Sequence, residues 1–413
     1  MYSTLLRLLP RTRTNHLPAG EKQAHVFFRM SLSRCASLPF ALIFRRVGKP
    51  MKVLFAVQGD GRGHMTQAIA ALEMLERAGH RVVHVLAGSN QSRVLPAFFR
   101  DAFDCPMTTF AAPGFSIKQG KAISTFSSTL HLFSNLKKYR ASLRLMEGAI
   151  EESSPDLVVN FLEPLLGYLN LRRRIQPPTL SIAHHFMFDH PQYPRVPGFF
   201  FQKIGMMRYV RLTGANAKKL ALSFYEAGNR PGVFVCPPIL RKQLFSLTPE
   251  NPGTHLLVYL LNYGYAEEIK AWHAKRPDVP INCFYDKPGA PEVEQVSPNL
   301  TFHALHGEKY LRLMATARGV VCTAGFESIS EAAYLGKPLL MVPVQNHVEQ
   351  HVNSLDAQLV GLGTRADSFD LSILLEPRDS KPLDTFRRWV DRAGDVLVSA
   401  AEQTMRAGRN SLS

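Results

Sequence analysis

At 413 residues, with 46% hydrophobic and 20% charged side chains, the chain is long enough for two domains with real cores and has the composition of an ordinary soluble protein. No apolar run approaches the ~20 residues that span a bilayer, and five scattered cysteines without a C-x-x-C indicate neither a zinc cluster nor a disulfide framework, which fits a reducing, cytoplasmic setting. The net charge of +16 suits an anionic nucleotide substrate or an anionic membrane surface, and no aromatic-interleaved basic stripe argues for nucleic acid.

Residues 1–50 lack sustained periodicity and hold nine Lys/Arg against Glu21 alone. Such a basic, acid-poor stretch is either an organelle transit segment or a leader ahead of a true start at Met51, the second being favoured. In both cases a disordered, dispensable extension is expected. Residues 52–57 then form an apolar strand, and Gln58-Gly59-Asp60-Gly61-Arg62-Gly63-His64 is a glycine-rich turn. The spacing of Ile69, Leu72 and Leu75 predicts a helix over 66–78, stopped by Gly79, and 81–87 is a second strand. This βαβ unit puts the glycine loop where doubly wound folds hold ligands. A dinucleotide fingerprint fails on two counts: the spacing is G-x-G-x-G, and the second strand ends in Gly88-Ser89-Asn90 without an acid for a ribose.

Gly114 to Ser128 is polar, either lining an acceptor site or making a plain surface excursion. Strands follow at 155–161 and 179–183, the latter ending in His184-His185, whose candidate roles are acceptor contact or structural hydrogen bonding, with metal third for want of another ligand. Phe199 to Arg211 interleaves Ile204, Met206 and Met207 with Lys203, Arg208 and Arg211. It is either a helix packed with cations at its border, the commoner case, or a membrane-surface contact. Residues 233–236 close the first half, and Pro237-Pro238 ends it.

A boundary near 249–253 leads into a second sheet: strands at 255–261, 281–285 and 300–302, with a helix reaching Lys275 and His306 ahead of a helix over 310–316. Residues 319–323 are a buried-type strand, Ala324-Gly325 turns, and 327–335 is helical by the spacing of Ile329, Ala332 and Ala333. Gly336 stands at a left-handed C-cap, Pro338 forbids continuation, and 339–344 is a further strand. A small-residue turn feeding a helix leaves N–H groups free for phosphate. Glu327 and Glu331, four apart on one face, suit sugar or ribose hydroxyls. The region 381–405 is expected to be one amphipathic helix.

The stretch from Val320 to Ser354 resembles the donor-binding motif of nucleotide-sugar glycosyltransferases of the GT-B fold. The matching residues are the turn Ala324-Gly325-Phe326-Glu327-Ser328, Glu331-Ala332 with Gly336 and Pro338, Pro343, Glu349-Gln350 and Asn353-Ser354. Glu349 departs from the family's Asp, Ser354 from its Ala, and Ala324 stands where a glycine is common. The loop Gly59–His64 is similar to the amino-terminal loop of the same enzymes, notably the lipid-linked GlcNAc transferase of peptidoglycan synthesis, in which the matching histidine is a candidate base. The resemblance implies an α/β protein of two Rossmann-like domains facing across a cleft: an acceptor domain at 51–248, a donor domain at 249–375, and a helix at 376–413 packing back on the first domain. Donor-binding residues would be Thr323, Ala324, Gly325, Phe326, Glu327, Ser328, Glu331, Gln345, Gln350, Asn353 and His306. His64 would be catalytic, and Gly59, Gly61, Gly63, His184 and His185 would line the acceptor side.

With no Asp-x-Asp in the sequence, leaving-group charge would fall on backbone N–H groups and a helix end, so no metal and no other cofactor is expected. The implied activity is inverting transfer of a hexosyl group from a nucleotide diphosphate sugar, uracil by resemblance, to an acceptor hydroxyl on a glycan or lipid, in the cytoplasm or at the inner face of a membrane. A nucleotide-sugar epimerase using Asp60, Asp189 or Glu163, and a non-catalytic binder, are the alternatives. Glu331 and Gln350 are expected not to be deeply buried.

Overall fold

The computed structural model describes residues 49–59, 61–89, 95–113, 116–118, 122–124, 135–250, 253–376 and 384–410. The expected amino-terminal extension, Asp60 and most of the loop 114–128 lie outside them.

In the first lobe the elements run β1 (Lys52–Gln58), α1 (Arg62–Arg77), β2 (Arg81–Ser89), α2 (Ala97–Arg100), β3 (Met107–Ala111), the small hairpin β4 (Ser116–Lys118) and β5 (Ala122–Ser124), α3 (Leu136–Ser153), β6 (Leu157–Phe161), α4 (Pro164–Leu171), β7 (Thr179–Ala183), α5 (Phe200–Thr213), β8 (Lys218–Leu222) and β9 (Val233–Cys236). Seven of these strands form one parallel sheet in the order β3-β2-β1-β6-β7-β8-β9. The short α6 (Lys242–Phe245) lies in the connection to the second lobe, which holds β10 (His255–Leu260), α7 (Ala266–Lys275), β11 (Ile281–Tyr285), β12 (Val293–Ser297), β13 (Leu300–Ala304), α8 (Gly307–Thr316), β14 (Ala317–Cys322), α9 (Phe326–Tyr334), β15 (Leu339–Met341), α10 (Val348–Leu359) and β16 (Thr364–Arg365). Its sheet has the order β12-β13-β11-β10-β14-β15-β16, parallel except where β12 meets β13.

Strands such as β6 and β7 are buried at every position, because helices cover both faces of a parallel sheet. In each lobe the strand order reverses beside the first strand, between β1 and β6 and between β10 and β14. Loops leaving the carboxyl ends of those strands therefore diverge and leave a crevice. Gly59 is required at the first of these ends: it donates to Gly88 O at 2.7 Å, and a Cβ there would lie 2.4 Å from that oxygen.

The chain ends in two helices rather than the single one expected over 381–405. These are α11 (Asp384–Val390) and α12 (Ala393–Asn410), separated at Asp391-Arg392. The second crosses back to the first lobe. There Arg409 bonds Asp156 at 2.8 Å, Glu402 meets His80 at 3.5 Å, and Gly408 lies so close to Pro178 that a Cβ would come within 2.6 Å of it. Among the described residues no helix is long and apolar enough to cross a membrane.

Candidate active site

The loops leaving β1 and β7 face those leaving β14 and β15. α1 begins at Arg62, four residues earlier than the sequence spacing suggested, because the glycine loop is itself wound into the first turn. Neither N-cap residue, Gly61 of α1 or Gly325 of α9, supplies a capping side chain, although Gln58 Oε1 accepts from Gly61 N–H at 3.2 Å and the Glu327 carboxyl accepts from its own N–H. The two helix starts approach so closely that a Cβ on Gly63 would lie 2.5 Å from Glu327 Oε2. Glu327 accepts a hydrogen bond from Gln67 Nε2 of α1. Burial raises the Glu327 carboxyl to about 7, with Glu331 and Glu349 adding to the rise.

Beside this contact stand His64, His185 and Glu349. The His64 ring lies 6.2 Å from that of His185, centroid to centroid, and Nδ1 of each is buried without a hydrogen-bond partner. His185 Nε2 lies 3.1 Å from Glu349 Oε2, an ion pair between the lobes. Its electrostatics are mutual: Glu349 holds His185 above the usual imidazole range against burial, while His185 helps hold the Glu349 carboxyl far below its ordinary value, also against burial. His64 is lowered to about 4, first by burial and then by His185. It is a neutral imidazole at neutral pH.

Several expected ligands turn out to have other work. His184 is buried, with Nδ1–H donating to Leu222 O and Nε2 accepting from Tyr193 Oη, each at 2.7 Å, so neither nitrogen is offered to an acceptor. Its ring stacks on Phe326 at 4.1 Å, and Phe326 stacks on Phe224 at 4.6 Å, so the Phe326 ring packs the lobes together. Thr323 Oγ1 accepts from Leu261 N–H at 3.3 Å, fixing the loop after β10. Asn353 Nδ2 donates to Ala324 O at 3.2 Å and so steadies a residue with φ of 55°, a region where a side chain costs about 1–2 kcal/mol.

Glu331 and Gln350 are only 2% and 4% exposed, contrary to expectation. Glu331 Oε1 takes Arg241 Nη2 at 2.6 Å and Nε at 2.8 Å, and Gln350 Oε1 accepts from Val344 N–H at 2.9 Å. Helix α9 is sandwiched, which buries six consecutive residues from Ser328 to Ala333, so a polar residue on it is not thereby on the surface. His306 caps α8, accepting from Lys309 N–H at 3.2 Å, and remains exposed. Gln345 is exposed and its N–H donates to Tyr265 Oη at 3.3 Å. A Cβ on Gly325 would meet nothing within 4 Å, so the backbone at the start of α9 opens onto free space. Glu163, an epimerase candidate, is fully buried and caps α4 through Leu165 N–H at 3.0 Å.

Two participants had weak or no sequence signal. Gln67 lies four residues after Gly63, one turn up the same helix face, and spacing could have found it. Arg241 reaches Glu331 from 90 positions away, and no local pattern marks it. No group of three or more His, Cys, Asp or Glu among the described residues could hold a metal ion.

The profile of glycosyl transferase family 1 matches residues 51–375. No curated protein matches the chain. Among solved structures, the glycotransferase of kitacinnamycin superposes with a TM-score of 0.57 at 16% identity, over 87% of this chain and 99% of that one. UGT89C1 of Arabidopsis thaliana gives 0.57 at 16%, over 86% and 100%. MurG of Acinetobacter baumannii gives 0.52 at 17%, over 85% and 99%. At these identities the structures establish the two-sheet GT-B fold, and the profile establishes the family. The chain belongs to glycosyl transferase family 1 and is a GT-B glycosyltransferase that uses a nucleotide-sugar donor.

Proposed function

We propose that the enzyme moves a hexosyl group from a UDP-sugar to an acceptor hydroxyl with inversion and without a metal, using His64 as the general base. The observation that carries this reading is the meeting of His64 and His185 from the first lobe with Glu349 from the second, beside the free N-terminus of α9. The donor's diphosphate lies against the backbone of Gly325 and Ser328, where the positive helix end and unpaired N–H groups offset the charge of the leaving group. Neutral His64 takes the acceptor's proton. The acceptor oxygen bonds the anomeric carbon as the bond from that carbon to the diphosphate oxygen breaks, and the nucleoside diphosphate leaves. Glu349 favours the imidazolium that forms, since it already pulls His64 upward. His306 and Gln345 border the base and sugar ends of the donor. Glu331 and Gln350 act by holding the surrounding backbone, through Arg241 and Val344, rather than by touching the sugar.

A lipid-linked acceptor is supported by α5. Met206, Tyr209 and Val210 pack inward, whereas Phe200 and Phe201 are 68% and 82% exposed at one end of the helix and Arg208 and Arg211 are exposed toward the other. Exposed apolar rings and cations on one helix suit an anionic membrane surface.

The test is incubation with UDP-glucose and UDP-N-acetylglucosamine, with and without glycan and polyprenyl-phosphate acceptors, reading products by mass spectrometry and anomeric configuration by NMR. Inverted product that needs an acceptor is the expected result. An altered nucleotide sugar formed without acceptor would replace transfer by epimerisation.

A further inference from the structure

Glu327 presents a problem to any diphosphate at the start of α9. Its carboxyl sits at the gap between the N-termini of α1 and α9, accepting from its own backbone N–H, against Gly63 and hydrogen-bonded to Gln67. A carboxylate there already serves as the anion that those helix ends attract. A diphosphate brought into the same gap places like charge beside it, in a crevice where water screens poorly. Two outcomes are physically open: the side chain leaves, or it loses its charge. Leaving is disfavoured by Gln67, whose amide is buried and would be left without this acceptor.

Resting on the reading of this gap as the donor site, we infer that Glu327 binds the donor diphosphate as a neutral carboxylic acid, donating its O–H to a phosphate oxygen, so that donor binding takes up one proton from solvent. The balance is simple. One carboxylate, one solvent proton and one nucleotide sugar give one carboxylic acid hydrogen-bonded to the bound diphosphate, and no covalent bond of the donor changes. The free carboxyl, poised at about 7, needs only a modest further rise to stay protonated when the ligand arrives.

The groups facing Glu327 support this assignment from every side. From its own helix Glu331 adds negative charge, from α10 Glu349 does the same, and from α1 come neutral Gln67 and neutral His64. The cations described nearby are already committed, His185 to Glu349 at 3.1 Å and Arg241 to Glu331 at 2.6 Å, although Glu327 also helps to raise His185. An incoming diphosphate therefore finds the carboxyl among acids, with no free positive charge to keep it ionised. The consequence is selectivity. A glutamic acid can donate to a phosphate oxygen that a glutamate would repel, so donor affinity falls with rising pH although the nucleotide sugar itself has no titrating group there.

The experiment is isothermal titration calorimetry of the full chain with UDP-glucose, UDP-N-acetylglucosamine and dTDP-glucose, at pH 6 and pH 8, in phosphate and in Tris buffer. A sugar diphosphate ester is fully ionised at both values, so the buffer dependence reports on the protein. At pH 8 the wild type is expected to take up about one proton per donor, and its Kd to rise about tenfold per pH unit above about 7. Glu327→Gln keeps the neutral donor group. It is expected to bind with similar affinity at pH 6, tighter than wild type at pH 8, and with no buffer dependence. Binding by the wild type without proton uptake would overturn the inference and leave the donor site standing. The same holds if Glu327→Gln, still folded by circular dichroism, shows an unchanged pH slope. Binding of none of the three probes to either protein would remove the donor reading and the inference together.

Discussion

Glu349 of α10 and His185 beyond β7 form a 3.1 Å ion pair that ties the two lobes at the floor of the cleft. Its pH window follows from the two shifts. The raised His185 contributes stability that is present below its unfolded value near 6.5 and is lost as pH climbs through the folded value above it. The depressed Glu349 contributes above its unfolded value of 4.5 and is lost as pH falls toward its folded value. The pair is thus fully expressed from about pH 4.5 to 6.5. Glu349→Gln should lower Tm most in that window, with a difference that shrinks as pH rises through the raised His185 value. Melting curves at half-unit pH intervals check this, and a uniform offset at all pH values would mean that the pair is not the source.

His64→Ala should reduce transfer by about 10²–10⁴-fold with donor affinity nearly unchanged. Single-turnover transfer under saturating donor and acceptor is the measurement. The acid limb of the pH–rate profile should fall below the range of an ordinary imidazole, because His64 stays neutral from about pH 5 upward. A loss below about fivefold would place the base elsewhere.

Arg241 joins the connection between lobes to α9 through Glu331. Arg241→Ala would leave the Glu331 carboxylate buried and unpaired, at a cost of about 3–5 kcal/mol. Replacing both partners, as Arg241→Leu with Glu331→Met, should restore much of that loss. Denaturant unfolding of the two proteins separates a buried charge pair from a surface one, for which both variants would lie within about 1 kcal/mol of wild type.

Asp356 of α10 is buried and raised to about 7 by that burial, facing Tyr225 of the first lobe. With the folded value above the unfolded one, the folded state loses stability as pH rises from about 4 to 7. Asp356→Asn should therefore melt roughly 2–4 °C higher than wild type at pH 8, for about 1 kcal/mol recovered, and show no gain at pH 4. Differential scanning calorimetry at the two pH values decides it.

The strands of both sheets were readable because a parallel strand covered on two faces must be apolar throughout, as at Leu157–Phe161 and Thr179–Ala183. β8 and the edge strands β3, β12 and β16 were passed over, since none is apolar throughout: in β8 only the last three residues are buried, and in β3 only one. The site was legible where one local motif writes it. The glycine loop puts His64 at the end of β1, and the turn at Ala324-Gly325 opens α9. Burial of Glu331 and Gln350 was not legible, since it depends on Arg241 and on the strand-end backbone at Val344, both supplied by folding. The cause of His64 neutrality also lies beyond the local sequence: burial and His185, 121 positions downstream, lower it.

The return of α12 to the first lobe sets an order on biosynthesis. That lobe is made first, yet the surface formed by Met74, Pro178 and His80 is covered only by residues after Ala393. Those residues emerge only after the whole second lobe, so the amino-terminal half waits, with an apolar flank open, until the second lobe has been made. Trp389 repeats the dependence, its indole N–H reaching back to Ser223 O at 3.0 Å. A chain cut after Arg392 would leave the earlier-made lobe with this flank exposed to chaperones and proteases.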